Sequence, residues 1–313
     1  MTPTTPRTTP GRPLKVGIQL PEVEREVRWP ELLDMVHAIE DLGFDSVWVG
    51  EHLLYRWEDR PSSGPWEAWT LLSAIAASTS RIELGPLVAC TNFHNPALLA
   101  KQAALIDEVS GGRFVLGLGA GWNEPEFRAF GFPYDHRVDR FEEAFTIIRT
   151  LLREGAIDFD GRWYQARDCE LLPRGPRPGG PPLMIGSIGP RMLRATMADA
   201  DSWNAWYNDT GNDPTGIPRL RDLVDEACRD VARDPASVER TVAAFVGLPG
   251  GAGRTQASTS EPTVPLPGDP AALADVLRSF AREGISHVQL VLDPITLDAI
   301  RAVAPVLTEL DRG

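Results

Sequence analysis

Of the five histidines in this 313-residue chain, one stands where chemistry is most easily done. His52 ends the string Gly50-Glu51-His52, directly after the short apolar run Asp45–Gly50. A histidine just past a strand terminus is placed for proton transfer or for hydrogen bonding a ligand. A loop histidine that merely caps backbone groups is the alternative. His37 falls within a helical stretch and His287 at a strand start, which reads as structural for both. His94 and His136 fall in loops on the strand-end side and remain pocket candidates.

Three further strand ends carry unusual residues. The run Arg81–Cys90 contains Gly85-Pro86, and a proline inside a strand removes a ladder hydrogen bond. That predicts a bulge or break, a feature common beside active sites, or else a strand that ends early. The polar loop beyond it closes on Asn95-Pro96, a good helix cap followed by proline at the first helical position. The run Arg113–Ala120 leads into Gly117-Leu118-Gly119-Ala120-Gly121-Trp122-Asn123-Glu124. Gly117 and Gly119 match the first two glycines of a dinucleotide-binding turn, but Trp122 occupies the third place and no helix opens there cleanly. Glycines followed by tryptophan suggest instead an aromatic wall for a flat ring system. Finally, Gly186-Ser187-Ile188-Gly189 precedes Pro190 at the start of a helical stretch. Free N–H groups at a helix N-terminus suit a phosphate, although many such loops carry Gly and Ser only as caps. No HxH, HExxH, clustered Cys/His or GxSxG motif is present, which disfavours a metal-dependent or serine hydrolase.

These residues hang on a regular alternation. Strands are expected at Lys15–Leu20, Asp45–Gly50, Arg81–Cys90, Arg113–Ala120, Leu183–Ser187, Asp201–Trp206, Arg240–Leu248 and His287–Asp293. Helices are expected between and after them, the last over Ile295–Leu310. In Glu31–Leu42, residues Leu32, Met35, Val36, Ile39 and Leu42 fall at helical spacing, with Gly43 as the stop. Phe141, Ala144, Phe145, Ile148, Leu151 and Leu152 form a longer stripe of the same kind. Eight strands alternating with helices predict a parallel sheet covered on its outer face. An open doubly wound sheet satisfies the same alternation, but the count of eight and the closing helix favour a (β/α)8 barrel.

The barrel is expected to span residues 14–313 as one domain, after a disordered Thr/Pro-rich tail at 1–13 that lacks the apolar core of a signal peptide. An excursion at 155–182 includes a small hairpin near Asp158–Tyr164, and 249–267 reads as a mobile loop. A net charge of −13 without a basic stripe argues against nucleic acid, and no apolar run is long enough for a membrane span. Three scattered cysteines, Cys90, Cys169 and Cys228, read as reduced thiols of a cytoplasmic protein.

Taken together, the ordered motifs resemble the luciferase-like superfamily of flavin- and coenzyme-F420-dependent oxidoreductases. The resemblance is carried by Gly50-Glu51-His52, Leu84 to Pro96, Ser110-Gly111-Gly112-Arg113, Gly119 to Glu124, Phe127 to Gly131, Arg137 to Phe145, Ile185 to Gly189, and Ala198 to Trp203. It covers roughly Lys15 to Trp206 and fades beyond. It implies a (β/α)8 barrel with insertions and a cofactor ring at the C-terminal mouth. A non-prolyl cis peptide at Leu87–Val88 is implied beneath the ring, with Ala89 and Asn92 beside it. Trp122 and Asn123 are implied at the ring or its ribityl chain, and His136 or Arg140 at the phosphate side. Backbone amides near Gly186, Ser187, Ile188 and Gly189 are implied to hold the phosphate, and His52 to approach the reacting face.

The function so implied is hydride transfer between F420 and a small organic substrate, with His52 as proton carrier. The motif variants and the proline- and arginine-rich, lysine-poor style resemble F420 enzymes of this superfamily more than FMN enzymes. With FMN, a monooxygenase served by a separate flavin reductase becomes the reading. A non-catalytic flavin-binding barrel is the alternative of another class. The family also implies a homodimer.

Overall fold

In the computed structural model, residues 11–57, 61–252 and 263–312 are described. Twelve strands are present among them: β1 Lys15–Gln19, β2 Ser46–Val49, β3 Glu83–Pro86, β4 Ala89–Cys90, β5 Leu116–Gly119, β6 Ala156–Asp160, β7 Gln165–Glu170, β8 Leu183–Gly186, β9 Ser202–Ala205, β10 Glu239–Gly247, β11 Leu266–Pro267 and β12 His287–Asp293. The α-helices are α1 Trp29–Asp41, α2 Ala68–Ser78, α3 Pro96–Ser110, α4 Glu124–Phe130, α5 Arg137–Glu154, α6 Pro190–Thr196, α7 Ile217–Asp230, α8 Pro270–Arg282, α9 Leu297–Val303 and α10 Pro305–Asp311.

One parallel path runs β3-β2-β1-β12-β10-β9-β8-β5-β4. Its two ends belong to one stretch of chain. The run 83–90 breaks at Leu87–Val88, so β3 pairs with β2 and β4 with β5. A bridge between Leu84 and Phe114 ties the first half to the entry of β5 and brings the edges together. The path therefore has eight barrel positions, the third split in two, as the alternation predicted. Gly85-Pro86 marked the right strand, but the break falls immediately after the proline.

Packing follows the sequence pattern. The inner faces of α1 and α5 bury the apolar stripes expected of them, except Leu42, which caps α1 and is exposed. Gly43 and Gly111 end α1 and α3 with positive φ, a conformation that costs glycine little. The excursion holds the antiparallel pair β6–β7. The expected last helix is two, because Pro305 has no N–H to continue α9 and instead opens α10. The short α4 and β11 carried too little periodicity to be seen beforehand. Of the expected tail, residues 1–10 lie outside the described residues, whereas Arg12 is buried against Asp45 and Asp311 at 3.0 Å each. Of the expected mobile loop, residues 253–262 likewise lie outside. Among the described residues no helix is long and apolar enough to cross a membrane.

The barrel interior has a polar tier below the mouth. His287 is buried, with Nε2 2.7 Å from the Ser46 hydroxyl, which also accepts the Trp48 indole N–H. Burial, and secondarily the charge of Lys15, push the His287 pKa well below its ordinary value. The unfolded chain then takes up a proton near pH 6.5 that the folded chain refuses. Stability is full above that pH and is lost as pH falls below it, at up to about 1.4 kcal/mol per unit. Denaturant unfolding compared between pH 7 and 5.5 is expected to show this loss, and His287→Asn to remove that component. An unchanged slope in the variant would refute it.

Candidate active site

The mouth of the barrel, where the strands end, holds a cavity of about 470 Å3. Its floor is the break in the third strand. The Leu87–Val88 peptide is cis, at the bond the family resemblance indicated, and Leu87, Val88 and Ala89 all line the cavity. A Cβ at Gly117, Gly119 or Gly186 would approach the Val88 side chain to 3.0, 2.9 and 2.8 Å, respectively. The glycines of β5 and β8 thus leave space for Val88 itself. They shape the floor from below, and Gly119 and Gly186 also border the cavity with their own backbone. Gly121 makes room in the same way for Cys90 and Phe127.

One wall is built around His52. Its Nδ1 lies 2.8 Å from Glu126 Oε1, and its Nε2 lies 3.6 Å from Glu22 Oε1. Both carboxylates are buried. Glu126 also accepts the backbone N–H groups of Leu53 at 2.7 Å and Leu54 at 3.3 Å, pinning the loop that follows His52. Glu22 accepts the Tyr55 hydroxyl at 2.7 Å and the Gln19 amide at 3.0 Å. A side chain at Gly50 would collide with the Glu22 carboxylate, so glycine there keeps this position open. Glu51 turns away from His52. It accepts His94 Nε2–H and the Trp69 indole, each at 2.8 Å, and the Cys90 N–H at 2.7 Å. It thereby ties β4 to its neighbours. Burial, then the charge of Glu51, push the Cys90 thiol well above its ordinary pKa, so it meets the cavity as a neutral group. Among the described residues no three His, Cys, Asp or Glu side chains are grouped to hold a metal ion.

The ring of Trp122 stands edge-on to His52 at 5.6 Å and is 45% exposed, leaving much of its surface open at the rim. On the far side, Gly186 and Ser187 reach the cavity just before α6. The Ser187 hydroxyl is fixed by the Gly189 N–H at 3.1 Å, and the Ser187 carbonyl by the Trp203 indole at 2.7 Å. Trp206, Asp209 and Asn204 close the remaining side. Burial raises the pKa of Asp209, which accepts the Trp206 N–H. Asn204 spends its N–H groups on Thr241 and Gln289, both at 2.8 Å.

His52, Leu87, Val88, Ala89, Trp122, Gly186 and Ser187 are therefore brought together around one cavity. Six other candidates lie outside its lining. Asn92 holds the carbonyls of Ala120 and Arg137, and Asn123 holds that of Leu54. Both are buried behind the wall. His136 pairs with Asp139 and stacks on Trp163, and Arg140 lies over the same indole at 4.1 Å. Ile188 and Gly189 follow the lining residues toward α6. Sequence reading missed Glu22, Tyr55, Glu126, Asn204 and Asp209.

The lining suits a flat redox ring. The floor is apolar, one aromatic edge is open, and hydrogen-bonding groups stand around the sides. Comparison with known proteins agrees with that geometry. The family model for luciferase-like monooxygenases matches residues 13–248. The 5,10-methylenetetrahydromethanopterin reductase of Archaeoglobus fulgidus is 34% identical over 181 residues, covering 58% of this chain and 49% of the relative. The F420-dependent glucose-6-phosphate dehydrogenase of Intrasporangium calvum is 32% identical over 179 residues, covering 55% and 52%. The chain thus spans about half the length of these relatives. A solved F420-dependent secondary alcohol dehydrogenase, in complex with an F420-acetone adduct, superposes with a TM-score of 0.79 at 19% identity, covering 95% of this chain and 99% of that one. The match over most of the chain, on a barrel of this form, places the protein in the luciferase-like monooxygenase family of redox enzymes.

Proposed function

We propose that this chain is an F420-dependent oxidoreductase that interconverts a carbonyl and its carbinol. The observation that carries the proposal is His52, held between Glu126 and Glu22 on the wall of a flat apolar-floored cavity. Reducing a carbonyl needs a hydride at carbon and a proton at oxygen, and the wall offers one histidine poised to move that proton. Bound in this cavity, F420 supplies the hydride chemistry at C5 of its ring. Leu87, Val88 and Ala89 would support the ring from below, Trp122 would wall it, and Gly186 and Ser187 would meet the anionic end. Ile188 and Gly189 would extend that contact toward the start of α6. His136 and Arg140 lie outside the cavity lining.

The protein's own residues then do three things. The floor and Trp122 orient the substrate against the ring. Glu126, accepting Nδ1–H, fixes the His52 tautomer so that Nε2 faces the exchange. His52 gives a proton to the carbonyl oxygen in reduction and takes it from the carbinol in oxidation. The F420-dependent dehydrogenase among the relatives supports the choice of cofactor.

Titration of the purified protein with F420 and with FMN, followed by absorbance and fluorescence, tests this. Saturable binding of F420 is expected, with FMN weaker by roughly tenfold or more, about 1.4 kcal/mol. Tight FMN binding with oxygen consumption and no affinity for F420 would replace the proposal with the monooxygenase reading.

A further inference from the structure

A second cavity, of about 550 Å3, lies beside the first, and Glu22 and Val23 line both. Its inner wall is apolar and rigid, formed by Val27, Leu32, Val49 and Leu71, all buried. Trp66 forms part of its outer wall, 48% exposed and anchored by its indole N–H on the Val27 carbonyl at 2.7 Å. An aromatic seam lies along the boundary of the two spaces. His52 meets Trp122 at 5.6 Å and Tyr55 at 4.7 Å, and Tyr55 stacks on Trp57 at 5.5 Å and 9°. Tyr55 lines the first cavity and Trp57 the second.

We propose that the second cavity is a substrate subsite, taking an uncharged apolar arm whose carbonyl or carbinol head sits at His52. This rests on the function proposed above and adds the class of substrate. The second cavity lies within the usual range for ligand pockets and adjoins the one assigned to the cofactor ring and the reacting head. Charge argues against an anionic arm. Glu22 is buried at the inner edge and Glu24 is exposed at the rim, while Arg25 is committed to Glu31 and Arg28 to Glu26, each at 3.0 Å. A carboxylate or phosphate entering there meets the charge of Glu22 with no cation left uncommitted among these arginines. An alkyl arm laid along Val27, Leu32, Val49, Leu71 and Trp66 gains from burial, with the polar side of the cavity left to solvent.

A homologous ketone series tests the assignment. With reduced F420, kcat/KM is expected to rise roughly threefold to fourfold for each methylene buried, from propan-2-one toward decan-2-one. 9-Oxodecanoate, of similar length but anionic, is expected to lose most of that gain. Trp66→Ala is expected to flatten the series while leaving propan-2-one unchanged, and Trp66→Phe to restore it. Calorimetric titration of the cofactor-free protein with decan-2-one is the independent readout, with binding weakened in Trp66→Ala. Equal kcat/KM across the series, or a chain-length gain that survives Trp66→Ala, would overturn the subsite. If no ketone turns over yet decan-2-one binds in a Trp66-dependent way, the proposed reaction fails and the subsite stands. Neither binding nor turnover would overturn both.

Discussion

Replacing His52 by alanine is expected to lower kcat for F420-linked carbonyl reduction by roughly 10²–10⁴-fold, the usual worth of a positioned general acid or base. The expectation follows from the wall in which the ring is set. His52 sits with one nitrogen on a buried carboxylate and the other near a second carboxylate at the cavity edge. Proton exchange at the substrate oxygen then needs no approach of bulk water. Of the neighbouring cavity groups, the Tyr55 hydroxyl is engaged with Glu22, the Cys90 thiol is held neutral by burial, and Asp209 lies on another side beside Trp206. Because His52 flanks the ring and the floor is made by other residues, the affinity of the variant for F420 should change little. Stopped-flow reduction and ligand titration on the same preparation separate the two quantities. Full turnover in His52→Ala removes the proposed proton carrier. Loss of cofactor binding with unchanged turnover of the bound fraction would recast His52 as a binding residue.

Much of this arrangement was legible in the chain because barrel architecture writes itself locally. Each βα unit declares its strand as an apolar run and its helix as a stripe, so the strand ends could be counted off and His52, Leu87, Trp122 and Ser187 placed at one mouth. The proline in the third strand likewise signalled a break. The partners of His52 could not be found in this way. Glu22 and Glu126 lie in loop and short-helix segments on opposite sides of it in sequence, joined only when the barrel closes. Glycine was informative only in part. Pro86 and Val88 from the adjacent strand pack against Gly117 and Gly119, and Gly119 also lines the cavity. The absent side chain was evident in the sequence, but what fills the gap is a tertiary fact. Asn92 and Asn123 show the converse error. Polar residues next to strand ends can serve the backbone behind the wall as readily as a ligand in front of it.

Glu126 should prove the more revealing substitution, since its three partners are all donors. Leu53 N–H, Leu54 N–H and His52 Nδ1–H converge on one buried carboxylate, which accepts from each without conflict. Alanine leaves these groups unpaired in a dry site, and destabilisation on the order of 2–4 kcal/mol is expected. Glutamine is nearly the same shape and separates packing from chemistry. Its single carbonyl can serve the loop amides or the imidazole, and in either case its NH2 faces a donor. If the NH2 meets His52, the ring must shift its proton to Nε2, and carbinol oxidation loses its acceptor. If it meets the loop, the segment 53–55 that carries Tyr55 is unpinned. Either outcome is expected to lower kcat on the order of 10²-fold with a smaller loss of stability than alanine. Nitrogen-15 spectra of the His52 ring in the cofactor-free protein distinguish the two, since only the first moves the proton. A glutamine variant with wild-type turnover and an unshifted ring would show that Glu126 merely fills space, and the oriented-histidine account would fall with it.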